Sequence, residues 1–173
     1  MGSLERFKID LKGLKLEEST FDFILDNDYF ESIEASDVRG GALRVSLSVR
    51  KRAGVFDLRF HVEGEATVAC DLCLEDLQQP VCTDSSLVVR LGDSYSDEDE
   101  VITIPAEEGV LDVSWLIYEI IALAIPTRHV HAEGACNPEM VARIEEMSIH
   151  EEETPDTDPR WKDLEKLKST IKE

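Results

Sequence analysis

The stretch that decides the fold is ALRVSLSVRKRAGVFDLRFHVEGEATVAC, residues 42–70. Apolar and polar residues alternate on both sides of KRAG, residues 51–54. A period of two is typical of a strand that buries one face. The apolar positions are Leu43, Val45, Leu47, Val49, Phe56, Leu58, Phe60 and Val62. The pattern predicts a β-hairpin that turns at KRAG and keeps one face in water.

Beyond Gly64, the alternation of the second strand is expected to resume in the same phase. Glycine weakens a strand interior, so Gly64 is predicted to break the run. Ala66, Val68 and Cys70 then resume the alternation, which predicts that Cys70 faces inward and that Cys73 falls just past the strand end.

Other elements are predicted on either side of this hairpin. Half-buried strands are predicted around Phe7, Ile9 and Leu11, around Phe21, Phe23 and Leu25, and around Leu87, Val89 and Leu91. DNDYFESIE, residues 26–34, predicts a short helix after an acidic or amide cap. DSYSDEDE, residues 93–100, is too acidic to bury itself and predicts an exposed loop.

An apolar helix is predicted over residues 112–125, with Asp112 as its cap and Pro126 as its stop. It is apolar on most faces, so it is expected to lie across the sheet. The side chains predicted to be buried are Trp115, Ile120, Leu123 and Ala124. Glu119 is its one interior charge, and a place on a thin solvent stripe is favoured over a buried functional carboxylate.

The elements together predict an α+β fold. Mainly antiparallel strands are expected to form a sheet or a partly open barrel, with the apolar helix packed on it. The length and the change in composition predict one α+β domain over residues 1–147, followed by an acidic linker and a C-terminal amphipathic helix over residues 148–173.

The C-terminal helix is predicted from its cap and its stripe. Asp158 precedes Pro159, a pair typical of a helix start. The apolar stripe consists of Trp161, Leu164, Leu167 and Ile171. A helix this short is marginal in water, so the stripe needs a surface to lie against. We predict a docking element for a partner; the alternative is that the stripe lies on the domain's own surface.

Charge and hydropathy restrict the partners. The chain of 173 residues has a net charge of −20, which predicts repulsion of nucleic acid and favours a basic protein partner, although solubility alone also explains it. The one local basic cluster is Arg50, Lys51 and Arg52, a candidate RNA contact or an ordinary solvated turn. No apolar run is long enough to span a bilayer and no signal peptide opens the sequence, which predicts a cytoplasmic protein without membrane contact.

The cysteines predict a metal site. Cys70 and Cys73 form one C-x-x-C pair, and four residues separate His131 from Cys136. Both spacings allow two ligands from one short loop, and three thiolates with one imidazole suit a closed, structural zinc site. His129 competes with His131 for the same role. Cys82 has no ligand at such a spacing and is predicted to be an inert core thiol.

Three other interpretations of these residues remain open at this stage. A redox pair would be expected at a helix N-terminus, whereas here Glu75 and Asp76 follow the cysteines. A catalytic zinc would keep a water ligand and need a base, for which Glu133 is the candidate. A metal-free cluster in the core is the third.

Three motifs together resemble the YceD-like family, found in bacteria with relatives in plant plastids. They are CDLCLE, WLIYEIIALAIPTRHVHAEGAC and DPRWKDLEKL, from the hairpin to the last helix. The residues that match are Cys70, Cys73, Glu119, Pro126, His131, Cys136, Asp158, Pro159 and Arg160. Many members carry arginine inside the C-x-x-C, where this chain has Leu72, and some lack the cysteines. The resemblance therefore implies that metal is not essential to the family's function.

The resemblance implies a non-enzymatic role in accumulation of large-subunit ribosomal RNA or assembly of the large subunit. The implied partners are a large-subunit precursor, a basic ribosomal protein or ribosomal RNA, with no small-molecule substrate. The alternatives are a zinc-stapled interaction adaptor unrelated to ribosomes and, third, a zinc hydrolase or ribonuclease. No phosphate-binding glycine-rich loop or His, Glu and Lys constellation favours an enzyme.

Overall fold

The computed structural model describes residues 4–35, 37–98 and 101–148. In this part of the chain, eight strands and three α-helices follow a short 3₁₀ turn at Glu5–Phe7. The strands are β1 Lys8–Asp10, β2 Glu18–Leu25, β3 Val38–Arg52, β4 Val55–Ala69, β5 Asp76–Gly92, β6 Ser96–Glu98, β7 Val101–Pro105 and β8 Val110–Asp112. The helices are α1 Asn27–Ile33, α2 Ser114–Ala124 and α3 Pro138–Met147.

Six strands form one mixed sheet in the order β2-β3-β4-β5-β7-β6, and β1 pairs with β8 in a separate ribbon. All pairs in the large sheet are antiparallel except β5 with β7, which run parallel from Val88 opposite Val101. The prediction of an α+β fold is confirmed. The sheet is mixed because β6 lies at the edge and pairs antiparallel with β7, which places β7 between β5 and β6 and parallel to β5.

The hairpin predicted from residues 42–70 forms the centre of the sheet. Its turn is tighter than KRAG, since β3 ends at Arg52 and β4 begins at Val55. Gly54 has φ of 89°, a conformation that favours glycine. Gly64 does not interrupt β4: it allows close approach to β3, because an added Cβ would lie 2.3 Å from the carbonyl oxygen of Ala42.

The core lies against the inward face of the sheet. The inward residues of β3 and β4 predicted from the alternation are buried, and they pack with α1, α2 and the β1–β8 ribbon. Tyr29 of α1 is fully buried, and its hydroxyl donates to the carbonyl oxygen of Ser114 at 2.7 Å. This bond ties α1 to the start of α2.

The buried face of α2 agrees with the predicted one only at Ile120 and Ala124, which are half-buried against the core. Ile117, Tyr118 and Ile121 face the core, whereas Trp115 is 50% exposed and Leu123 is 87% exposed. An apolar sequence on most faces leaves the rotation of a helix open, and tertiary packing decides it. Glu119 is exposed, as predicted, and accepts a hydrogen bond from Nε1 of Trp115 at 2.9 Å.

Two smaller predictions are wrong. Part of the acidic segment 93–100, predicted as a loop, forms strand β6, whose register with β7 runs from Ser96 opposite Thr103. Cys82, predicted as a core thiol, is exposed. It lies opposite Glu63 on the wet face because the inward residues of β5 occupy the odd positions, such as Val81 and Val89.

The C-terminal predictions fall outside the described residues. The linker and helix predicted within 148–173, including Trp161, Leu164 and Leu167, lie beyond Ser148, where the described part ends. Within the described ranges, no helix combines the length and apolar character that a membrane crossing requires.

Candidate metal centre

The C-x-x-C pair forms the turn of the β4–β5 hairpin. Cys70 follows the last residue of β4, and its N–H donates to the carbonyl oxygen of Glu75 at 2.8 Å, which closes the turn. Leu74 donates to the carbonyl oxygen of Cys70 at 2.9 Å and has φ of 63°. The alternation of β4 thus directs Cys70 inward, and the turn brings Cys73 to the same side; both are buried.

The other pair lies in the connection between α2 and α3. Asn137 caps α3 by accepting from the N–H groups of Glu139 and Met140, and Pro138 occupies the first turn. The side-chain amide of Asn137 also donates to Glu75 at 2.6 Å. The cap of α3 is therefore fastened to the C-x-x-C turn, and Cys136 stands next to it.

The four predicted ligands converge. Their ligand atoms, from Cys70, Cys73, His131 and Cys136, all lie within 4.8 Å of one another. The Sγ of Cys73 lies 3.4 Å from Nδ1 of His131, and the Sγ of Cys136 lies 3.8 Å from the same nitrogen and 3.9 Å from the Sγ of Cys70. Tetrahedral zinc with ordinary bond lengths requires sulfur–sulfur separations of about 3.8 Å and sulfur–nitrogen separations of about 3.6 Å. The donor set and its spacing fit that ion.

The surroundings distinguish His131 from His129. Nε2 of His131 lies 3.2 Å from the carbonyl oxygen of Asp76. A proton on Nε2 is donated to that carbonyl, so Nδ1 presents its lone pair to the three sulfurs. His129 instead has Nδ1 at 2.9 Å from the carbonyl oxygen of Pro126 and Nε2 at 3.6 Å from Asp71. The geometry favours His131 as the ligand.

The pKa values of the cluster residues are shifted by burial and by hydrogen bonds within the centre. Burial raises the pKa of Cys70, but hydrogen bonds from backbone groups of Cys73, His131 and Leu72 outweigh it and lower the pKa to about 6. Burial and then the neighbouring thiols raise the pKa of Cys136 to about 11. Hydrogen bonding to Cys70 raises the pKa of His131. A metal that binds all four must displace protons from this cluster.

Asp71 connects the two halves of the centre and was not identified from the sequence. Its N–H donates to the carbonyl oxygen of His129 at 3.0 Å, and its carboxylate accepts from the N–H of His129 at 2.7 Å. This two-point clamp fixes the backbone two residues before His131. The position of Asp71 inside the C-x-x-C was the only signal in the sequence.

Helix α3 was also missed, although its start signals are present. Asn137, Pro138 and Glu139 supply a cap, a proline in the first turn and an acidic residue there. Polar composition after residue 137 concealed these signals. The helix matters because it lines a groove together with His131 and Cys136.

The predicted basic cluster lies at the other end of β4. Arg50 faces Glu18 at 3.3 Å, Arg52 faces Asp57 at 2.9 Å, and Lys51 lies over the ring of Phe56 at 5.8 Å. The fifteen residues of β4 separate this turn from the metal centre by roughly 50 Å along the strand. The turn and the metal centre are separate features.

The family comparison agrees with the motifs. The family model "Large ribosomal RNA subunit accumulation protein YceD" matches residues 58–168, most of the chain, including both ligand pairs. No curated protein and no solved structure matches the sequence. The match confirms the resemblance seen in the motifs, and the chain belongs to the YceD family.

Proposed function

We propose that this protein is a non-enzymatic factor that supports accumulation of large-subunit ribosomal RNA during assembly of the large ribosomal subunit in the cytoplasm. The observation that carries the proposal is membership of the YceD family, whose model is named for this role. The direct partner is proposed to be a large-subunit precursor, met through a basic ribosomal protein or through its RNA.

The proposed cofactor is one structural zinc ion held by Cys70, Cys73, His131 and Cys136. Four protein ligands fill a tetrahedral shell, so no position is left for the water that a hydrolytic zinc activates. The ion would join the β4–β5 turn to the α2–α3 connection, which are distant in sequence. Its proposed contribution is to hold the domain together.

The charge of the chain supports a protein partner over bare RNA. The net charge is −20, and the pairing of Arg50 and Arg52 with carboxylates leaves little free positive charge at the basic turn. A basic ribosomal protein is attracted by such a surface and is kept from premature contact with RNA while bound. Contact of the turn with RNA is the alternative route to the precursor.

The proposal is tested by deleting the gene in its natural host and measuring the ratio of large-subunit to small-subunit ribosomal RNA. We expect the ratio to fall, precursor particles to accumulate, and the tagged protein to co-sediment with these particles. Complementation with the intact gene is expected to restore the ratio. An unchanged ratio together with a partner set free of ribosomal components would contradict the proposal and favour the adaptor alternative.

The alternative of a hydrolase or ribonuclease is tested by a separate measurement. Purified zinc-loaded protein is incubated with large-subunit precursor RNA, and cleavage is followed on a gel. We expect no cleavage above that of a Cys73→Ser preparation purified in parallel. Metal-dependent cleavage by the intact protein alone would overturn the non-enzymatic assignment.

A further inference from the structure

An open groove of about 410 Å³ lies beside the metal centre. One wall is a single face of α3, since Pro138, Val141, Ala142 and Glu145 follow the spacing of one helical side. The other wall is the loop that carries Val130 and the two ligands His131 and Cys136, with Leu72 of the C-x-x-C turn at its edge. Most of the residues that line the groove are therefore apolar.

The apolar residues of the groove lack cover in the described part of the chain. None of the ten residues of α3 is fully buried. On the groove side, Val141 is half-buried and Ala142 is exposed. Across the groove, Leu72 and Val130 are 39% and 37% exposed. A ten-residue helix with apolar side chains in water is marginal, so a segment that covers the groove side would stabilise it.

The chain itself supplies a segment of the required chemistry on the C-terminal side of α3. The sequence predicts a helix that begins near Pro159 and carries Trp161, Leu164, Leu167 and Ile171 on one stripe. Residues 149–157 reach about 30 Å when extended, about twice the length of α3. The segment is therefore long enough to turn back along the groove.

The charges of the two surfaces are complementary. Glu133 and Glu145 line the groove, together with one cation, Arg128. On a helix, Arg160 and Lys168 fall on the same side as the apolar stripe of the C-terminal segment, whereas Lys162 and Lys166 fall on the opposite side. A segment lying in the groove would therefore bring basic residues beside its stripe close to acidic residues of the groove lining.

We infer that the C-terminal segment 159–171 binds as an amphipathic helix in the groove between α3 and the His131–Cys136 loop of its own chain. A short covalent link to the domain gives such a segment an effective concentration of about a millimolar, so weak contacts suffice to hold it. The bound segment covers the exposed sides of His131 and Cys136 and shields the metal centre from water. This favours the domain's own surface over a ribosomal partner as the site of the stripe, and it does not depend on the proposed function.

The test uses the fluorescence of Trp161 in the full chain. Trp115→Phe leaves Trp161 as the only tryptophan, since the chain has two. We expect acrylamide to quench Trp161 several-fold less efficiently in this protein than in a synthetic peptide of residues 154–173. The emission maximum of the protein is expected at a shorter wavelength than that of the peptide.

Two pairs of variants locate the contact. Ala142→Arg places a large side chain in the groove, and Leu164→Asp places a charge in the apolar stripe. Each variant is expected to raise the quenching of Trp161 to the level of the peptide. Glu146→Arg lies on α3 outside the groove lining, and Lys166→Asp lies on the opposite side of the predicted helix; neither is expected to change quenching. Melting temperature and metal content verify that Ala142→Arg is folded, and Leu164→Asp gives the same test without altering the domain.

Two results would overturn the inference. If Trp161 in the full chain is as accessible to acrylamide as in the peptide, the segment does not bind its own domain and is left for a partner. If Trp161 is protected but Ala142→Arg leaves the protection unchanged, the segment binds elsewhere. The isolated protein is used throughout, so neither result bears on ribosomal RNA accumulation.

Discussion

The two polar clusters that stand out in the sequence lie at the two ends of strand β4, and their surroundings in the structure differ. At Cys70, side chains from two distant segments converge within 4.8 Å. At the turn after Arg52, two of three cations face carboxylates on neighbouring strands, Glu18 and Asp57. One end concentrates metal-binding groups, and the other neutralises its charge.

The difference shows what each kind of pattern can predict. Ligand spacings such as C-x-x-C are constrained by the small radius of the ion, so they carry information about a three-dimensional site. A run of cations carries no such constraint, because the charges that decide its local potential come from other strands. Substitutions at the two ends are therefore expected to have effects of very different magnitude.

The largest effect is expected at the metal centre. Cys73→Ser removes one ligand, and we expect purified protein to fall from about one zinc per chain to well below that. The domain keeps its own core, so we expect a loss of about 3 kcal/mol, or roughly 6–12 °C in Tm. Elemental analysis and thermal unfolding measure the two quantities.

Cys82→Ser is the matched control, because Cys82 is exposed on the wet face of β5. It is expected to leave zinc content and Tm unchanged. Protein purified without chelator that holds less than about one tenth of an equivalent of zinc would contradict the metal assignment.

A smaller effect is expected from Asp71, which touches the backbone of His129 and not the cluster itself. Asp71→Ala removes the acceptor for the N–H of His129, 2.7 Å away, and loosens the loop before His131. Residues that orient metal ligands typically contribute tenfold or more in affinity, so we expect zinc affinity to fall by about tenfold. Competition with a chromophoric chelator measures it.

Asp71→Asn provides the comparison for that variant. Its side-chain oxygen can still accept from His129, so it is expected to retain nearly the affinity of the original protein. Equal affinity for Asp71→Ala and the original protein would show that the clamp does not position the ligand.

The features that the sequence predicted correctly are mainly those that follow from residue spacing. The hairpin, the inward direction of Cys70 and the four converging residues follow from period-two alternation and ligand spacing, which are local rules. The exposed position of Cys82 was also available, because Leu87, Val89 and Leu91 assign the inward face of β5 to odd numbers. Applying that parity to Cys82 would have corrected the prediction.

Other features required the tertiary structure. The burial of Ile117 and Tyr118 in place of Trp115 depends on how α2 is rotated against the sheet, which an evenly apolar helix does not encode. The Asp71–His129 clamp joins two loops far apart in sequence. Strand β6 forms in an acidic segment because β7 offers it a free edge. None of these follows from local spacing.

A modest effect is expected at the basic turn. Replacing Arg50, Lys51 and Arg52 with Ala is expected to lower RNA affinity slightly. Among these three, only Lys51 lacks a carboxylate partner in the described part of the chain, so the salt dependence should flatten by about one phosphate contact. Filter binding of large-subunit RNA at several salt concentrations measures the slope.

The double variant Glu18→Gln with Asp57→Asn sharpens this test. It frees both arginines, so we expect a steeper salt dependence than for the original protein if the turn meets phosphate. A salt slope that is the same in the original protein, the triple variant and the double variant would identify an ordinary solvated turn.

The smallest effect is expected midway along β4, where His61 faces Asp84 across the wet face of the sheet. The hydrogen bond between His61 Nδ1 and Asp84, at 2.8 Å, raises the pKa of His61 above its usual value of 6.5. A raised folded-state pKa means that the pair stabilises the fold below pH 6.5 and that this contribution is lost as pH rises through the raised value. Asp84→Asn is expected to return the pKa of His61 toward 6.5 in an NMR titration and to leave Tm almost unchanged, because both side chains are exposed. An unshifted titration in Asp84→Asn would show that the pair does not persist in solution, and a large fall in Tm would show that a surface pair can rival the metal centre.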